Sequence, residues 1–268
     1  HQKYIDYILP GSSHKSYFRV SFTPLSKKHN SEIYGVVIIL HDLTSIRASE
    51  KVRIDFVANA SHELRTPVTS LKGYLQTLKE DVQSGRFEDA IHFIEIIERN
   101  VSRLSSLLDD LLDLSQMDLG VEVKRRTIST RDLTENVLQQ IDGRYHEIKT
   151  IFSVEEFEAD PARVEQVLRN LIQNAIRYVP RGGLIEVVWE ANSEGHTVLR
   201  VRDTGPGIPE VHLSRLFERF YRVDTGRARD KGGTGIGLSL VKHIMQAHGG
   251  SVSVKSRVGE GSEFICQF

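Results

Sequence analysis

From Leu43 to about Asp118 the apolar residues recur at helical spacing. One stripe runs Val57, Ala60, Leu64, Val68, Leu71, Leu75, Leu78, Val82. Every step is three or four residues, as in a helix that buries one face. QSGRFED (83–89) breaks the period, and a second stripe follows with Ile94, Ile97, Val101, Leu104, Leu108 and Leu111. Two long antiparallel helices bury little by themselves. A pair of such hairpins makes a four-helix bundle, so the pattern predicts a homodimer.

The flanks follow other periods. YFRVSF (17–22) alternates Phe18, Val20 and Phe22 with polar neighbours, as a strand does. EIYGVVIILHD reads as a second strand and KYIDYIL as a third. A segment of about 40 residues rarely folds alone, so 1–42 is expected to end a larger sensory or interaction domain that starts upstream. From Leu119 onward helices and strands mix. TRDLTENVLQQI (130–141) and DPARVEQVLRNLIQNAIRYV (160–179) are helical, with Asp160 as N-cap and Pro161 at the first helical position. GLIEVVWEA and HTVLRVRD read as adjacent strands, as do GSVSVKS and SEFICQF, and GLSLVKHIMQAHG as a helix ending at Gly249. The expected class is therefore α+β: a two-helix hairpin over 43–118, then a sandwich over 119–268 with helices on one face of a mixed sheet.

Composition excludes several classes. The formal net charge is −1, which favours neither nucleic acid nor an acidic surface. The single cysteine, Cys266, permits no internal disulfide. No apolar run approaches the roughly 20 residues that span a bilayer. The missing initiator Met suggests a piece of something longer.

Two constellations carry chemistry. In SHELRTP (61–67), His62 lies two residues from both Ala60 and Leu64, so a helical advance of about 100° per residue points it away from the apolar stripe. Thr66 is one turn above it and Glu63 is adjacent. A solvent-facing imidazole is a nucleophile when a neighbouring carboxylate takes or orients the proton on its other ring nitrogen. Pro67 removes a backbone hydrogen bond and should bend the helix just after the site. A lone surface histidine is usually a solvated side chain, and this chain has eleven. The combination of His-Glu, Thr and Pro sets His62 apart.

The second constellation lies downstream. Asn170 and Asn174, then Asn174 and Tyr178, are four residues apart on one helical face. Paired amide oxygens can ligate Mg²⁺ beside phosphates and waters. DTGPGIP (203–209) is a Gly/Pro loop after a strand, followed by LFERFYR (216–222) and GGTGIGLSL (232–240). The last opens a helix with bare backbone N–H groups, an anion site. One Gly-rich loop is weak, but four elements in this order are strong together.

SHELRTP resembles the phosphoacceptor box of bacterial sensor histidine kinases in the His-Glu-x-x-Thr class. The downstream order resembles the N, G1, F and G2 boxes of the ATP-binding fold that these kinases share with gyrase and Hsp90. RNVSRLSSLLDDLLDLSQMD and FVANASHELRTP are most similar to the phosphate-sensing and cell-wall branches, and DLT at 42–44 to the end of a PAS domain. The resemblance implies ATP-dependent autophosphorylation of His62, with Glu63 as acid/base partner and Thr66 serving the reverse, phosphatase reaction. It implies Mg²⁺ on Asn174, Asn170 nearby, Tyr178 near the base and Asp203 on the adenine amino group. Gly205 and Gly207 would shape the pocket. Arg222 and the stretch 225–231 would form a lid, while Gly233, Thr234, Gly235, Gly237 and Leu238 would hold the phosphates. Arg177 replaces the family's more frequent Lys and keeps the charge. The implied partner is the receiver domain of a response regulator, and the implied setting is the cytoplasmic part of a membrane-anchored sensor. IKTIFSVEEFEADPARV is short for the strand-turn-strand expected there. An ATPase clamp is the competing class, but it places a catalytic Glu where this chain has Asn170. A scaffold whose catalysis has decayed is another, and the intact boxes argue against it.

Overall fold

The computed structural model describes residues 3–9, 16–26, 33–118, 123–223 and 233–268. The chain divides into two units, His1–His62 and Glu63–Phe268. In the first, β1 (Lys3–Leu9), β2 (Ser16–Ser26) and β3 (Ile33–Asp42) form an antiparallel sheet in that order, with Val20 opposite Ile5 and Leu40. All three expected strands are present. The first helix, α1 (Thr44–Gln83), starts where the Asp42 carboxylate accepts from the Thr44 N–H at 2.8 Å and the Thr44 hydroxyl accepts from the Tyr17 N–H at 2.9 Å. The second bond ties the helix start to the central strand, β2.

α1 continues through Pro67, its one buried residue among those described. Positive φ at Gly85 and an Arg86–Asp81 ion pair shape the turn to α2 (Ala90–Asp118). Among the described residues no helix is long and apolar enough to cross a membrane.

The second unit adds a five-stranded sheet. Its strand order is β5 (Glu147–Phe152), β7 (Leu184–Ala191), β8 (Thr197–Asp203), β10 (Gly261–Gln267), β9 (Ser251–Arg257). Only β5–β7 is parallel, so the sheet is mixed. Register decides its faces. Val187, Val201 and Phe264 align across three strands, as do Trp189, Leu199 and Cys266, and all six are buried. The alternate residues carry charge: Arg200 pairs with Glu190 at 2.5 Å and with Glu263 at 3.7 Å.

The apolar face meets helices. α4 (Pro161–Tyr178) contributes Val164, Val167, Leu168, Leu171, Ile172 and Ala175, each worth up to about 1.5–3 kcal/mol for the larger side chains. After a short α5 (Glu210–Leu213), α6 (Gly237–Ala247) packs beside α4, and α3 (Thr130–Gln140) packs on α4. The buried Trp189 indole donates to the Thr134 hydroxyl at 3.0 Å, which itself donates to the Thr130 carbonyl, so both of these buried side chains are satisfied. At the N-terminus of α4 the Asp160 carboxylate accepts from the Ala162 and Arg163 amides, with Pro161 first in the helix.

The compressed stretch near 150–160 differs from a simple hairpin. β5 joins the large sheet, whereas β6 (Glu156–Ala159) pairs with β4 (Arg126–Ser129) in a separate two-stranded ribbon. Three residues suffice between them because the strands do not pair. The Ser153 N–H donates to the Trp189 carbonyl, and the Glu155 carbonyl accepts from the Thr130 N–H.

Candidate functional site

On α1, His62 and Thr66 are exposed and Glu63 is half-buried. The helical reading thus gives the outward direction of the imidazole correctly. The Glu63 carboxylate lies 3.8 Å from the Arg103 guanidinium of α2.

Within the second unit a cleft of about 1260 Å³ gathers residues from α4, the loop after β8, the segment around Arg222, the Gly-rich loop before α6, and α2. Asn170, Asn174, Arg177 and Tyr178 line it from α4. The Asn170 amide nitrogen donates to the Gln166 carbonyl at 2.9 Å. Its oxygen therefore faces Gly237, the first residue of α6. A Cβ at Gly237 would stand 2.4 Å from that oxygen, so a side chain there would fill the space beside the amide.

Asp203 closes β8 at the cleft wall. Burial pushes its carboxyl above the ordinary range, against bonds from the Gly205 and Ser262 amides. The Gly205 N–H donates to Asp203 Oδ1 at 2.8 Å. Gly205 thus stands behind the lining and orients Asp203, while Gly207 reaches the cleft itself.

Gly233, Thr234, Gly235, Gly237 and Leu238 line the opposite side. Gly235 has φ +74°, and a Cβ there would press to 2.8 Å from the Phe220 backbone. The Phe220 N–H donates to the Gly235 carbonyl at 2.8 Å. This clips the segment ending at Arg222 to the Gly-rich loop, which only glycine permits. No side chain caps α6 beyond a 3.3 Å bond from the Ile236 N–H to the Thr234 hydroxyl, so backbone donors at the helix start suit an anion. Arg222 lines the cleft as well. The stretch 225–231, with Arg227, Arg229 and Lys231, and Gly232 fall outside the described residues.

Sequence reasoning missed the wall supplied by α2. Arg99, Arg103, Ser106 and Asp110 line the cleft from one helical face. The Thr234 hydroxyl donates to Asp110 Oδ2 at 3.0 Å. Burial pushes Asp110 up to about 6, with the Thr234 bond opposing. Nearby, Asp113 accepts from Gln166 at 2.5 Å and pairs with Arg163 at 3.2 Å. Burial pulls Arg177 below the ordinary guanidinium value; Arg222 and Arg103 add to that, and Tyr178 and Asp110 oppose it. The spacing of the α2 residues was visible, but it reads as a solvated charged face. His212 and Tyr221, joined at 2.7 Å, also line the cleft and were missed.

Comparison with known proteins accounts for both regions. Residues 52–120 match the His Kinase A (phospho-acceptor) domain, and residues 159–268 match the histidine kinase-, DNA gyrase B- and HSP90-like ATPase family. The chain is 33% identical to the sensor histidine kinase WalK of Bacillus subtilis over 251 residues, covering 91% of this chain and 41% of WalK. It is 35% identical to the phosphate regulon sensor protein PhoR of Pseudomonas aeruginosa over 238 residues, covering 87% and 53%. It therefore spans about half the length of the curated relatives it matches. Among solved structures, the Acinetobacter baumannii histidine kinase AdeS superposes with a TM-score of 0.63 at 29% identity, covering 77% of this chain and 96% of AdeS. The histidine kinase ThkA, solved in complex with the response regulator protein TrrA, shares the fold at 24% identity, with a TM-score of 0.64 over 99% of this chain and 78% of ThkA.

Proposed function

Because this chain belongs to the bacterial sensor histidine kinases, we propose that it phosphorylates itself on His62 from ATP and passes the phosphoryl group to an aspartate of a response regulator. What carries the reading is one chain with two features: an exposed His-Glu pair on α1, and a cleft where Asn170, Asn174, Asp203 and the Gly233–Gly237 loop converge.

In this reading Asp203, kept buried and oriented by Gly205, accepts from the adenine amino group, and Tyr178 flanks the base. Arg177, Arg222 and the open start of α6 take the phosphates, with Gly207, Thr234 and Leu238 shaping the walls. Asn170 and Asn174 both line the cleft, amide oxygens suit a hard cation, and Asn174 with Asn170 would hold Mg²⁺. Bound there, Mg²⁺ supplies charge neutralisation on the phosphate oxygens. An imidazole nitrogen of His62 forms a bond to the γ-phosphorus as the bond to the bridging oxygen of ADP breaks. Glu63 receives or holds the proton of the other ring nitrogen.

The half-exposed apolar faces of α1 and α2 support a homodimer through a four-helix bundle. The sheet β1–β3 is read as the end of a PAS-like sensory domain, and the chain as the cytoplasmic part of a membrane-anchored sensor. Thr66, one exposed turn above His62, would place a water for dephosphorylating the regulator. Thr66→Ala should slow that step while leaving autophosphorylation and melting temperature unchanged.

The decisive experiment is labelling with γ-labelled Mg-ATP. The product should be acid-labile and base-stable, as a phosphoramidate is, and His62→Gln should abolish it without loss of ATP binding. Label that persists in His62→Gln overturns the assignment.

A further inference from the structure

The nucleotide cleft is not built from the ATPase fold alone. Arg99, Arg103, Ser106 and Asp110 follow one another at steps of four, three and four, so they form one face of α2, and all four line the cleft. Arg103, Arg177 and Arg222 all line the cleft, and Arg222 and Arg103 each disfavour the charge on Arg177. Three guanidinium groups thus converge beside the Gly-rich loop. Asp110, which hydrogen-bonds to Thr234 of that loop, is the acidic neighbour that acts on Arg177 in their favour. Like charges gathered in a partly dry cleft repel one another, and a polyanion offsets that repulsion.

Arg103 has a second neighbour. Its guanidinium is 3.8 Å from the Glu63 carboxylate, beyond good hydrogen-bond length, and Glu63 directly follows His62 in the chain. One arginine on α2 therefore stands between the carboxylate beside the phosphoacceptor and the phosphate end of the cleft.

Resting on the nucleotide reading above, we propose that Arg103 is a ligand for the terminal phosphate, supplied to the ATP site by the phosphotransfer helix. ADP ends one phosphate earlier and is held by the ATPase elements alone. ATP places a further dianionic group where Arg103 reaches, and the guanidinium exchanges a long contact with Glu63 for a forked bond to phosphate oxygens. That exchange leaves the Glu63 carboxylate available for the His62 proton at the moment when γ-phosphate is present. Arg103 so ties readiness of the acid/base partner to the presence of transferable phosphate.

The test compares ADP with a non-hydrolysable ATP analogue on the full chain by calorimetry in Mg²⁺ buffer. In Arg103→Gln the analogue should bind about ten- to a hundredfold more weakly, the range for losing a charge-assisted bond, while ADP changes less than about twofold. Arg103→Lys should recover part of the loss, because charge remains but the fork does not. Glu63→Gln, which removes the negative charge of that long contact, should tighten the analogue and not ADP. Equal binding of both nucleotides by parent and Arg103→Gln overturns the inference, as does a parallel loss of both. A parent chain that binds neither nucleotide overturns the nucleotide reading itself, and this inference with it.

Discussion

The hairpin and the ATPase domain use the same sequence signal to opposite effect. Both carry helices with apolar residues every three or four positions. On α4 that face is sealed: Leu171 is 0% exposed against the sheet. On α1 the equivalent residue Leu75 is 52% exposed, and Val68 and Val82 there, with Val101 and Leu108 on α2, are similarly open. The difference is not in hydrophobicity but in whether the chain itself supplies the opposing surface. The α4 face has β7 and β8 to cover it. The hairpin has only its other helix, and two helices leave a seam for a second copy. Where α2 does find a partner within the chain, at Leu107 and Leu114, its residues are buried like those of a core.

The sharpest way to break this comparison is a charge in the open seam. Leu75→Glu should weaken self-association by at least about a hundredfold, since an unpaired buried charge costs several kcal/mol. Sedimentation would register it, and the thermal transition of the ATPase domain should stay in place. A Leu75→Glu chain that remains dimeric would mean the seam faces water. Next in size is truncation on the sealed face. Leu171→Ala should cost about 2–5 kcal/mol in denaturant unfolding. Leu108→Ala, measured where the chain is monomeric, should cost a small fraction of that. Equal costs would erase the distinction.

The smallest effect sharpens the seam between α2 and the ATPase domain. Asp110 has a folded pKa of about 6 against an ordinary 3.8, so between those values the folded state holds a proton that the unfolded chain lacks. Stability must then fall as pH rises from about 4 to 6, by on the order of 2 kcal/mol. Asp110→Asn cannot ionise and should flatten that slope. A slope identical to the parent's would mean that Asp110 is solvated and that α2 does not seal this edge of the cleft.

Much of this was legible because it rests on local rules. The α4 start follows from Asp160 and Pro161, and the outward direction of His62 from its offset against Ala60 and Leu64. The cleft residues Asn170 and Gly237 were recognisable as motif positions, although their contact across two helices was not. The β4–β6 ribbon escaped because RTIS and EFEA are four residues each, too short for alternation to register. The parallel pairing of β5 with β7 is a long-range choice that neither strand encodes alone. The charged face of α2 carried no signal of its own in the sequence, because only docking against the Gly-rich loop and α4 gives Asp110 and Asp113 their partners. Sequence pattern reports which face is polar; it does not report what that face meets.

Pro67 leaves a mark that amide hydrogen exchange can read. Lacking an N–H, it gives no donor to the carbonyl four residues earlier, which belongs to Glu63. That gap adjoins the boundary between the two units, which falls between His62 and Glu63. Helical cooperativity depends on an unbroken ladder, so a missing rung divides α1 into two segments that open separately. Amides before and after the gap should accordingly lose their protons to deuterium at two distinct rates, although the backbone between them is one continuous helix. His62 would then sit at the joint between the two exchanging segments.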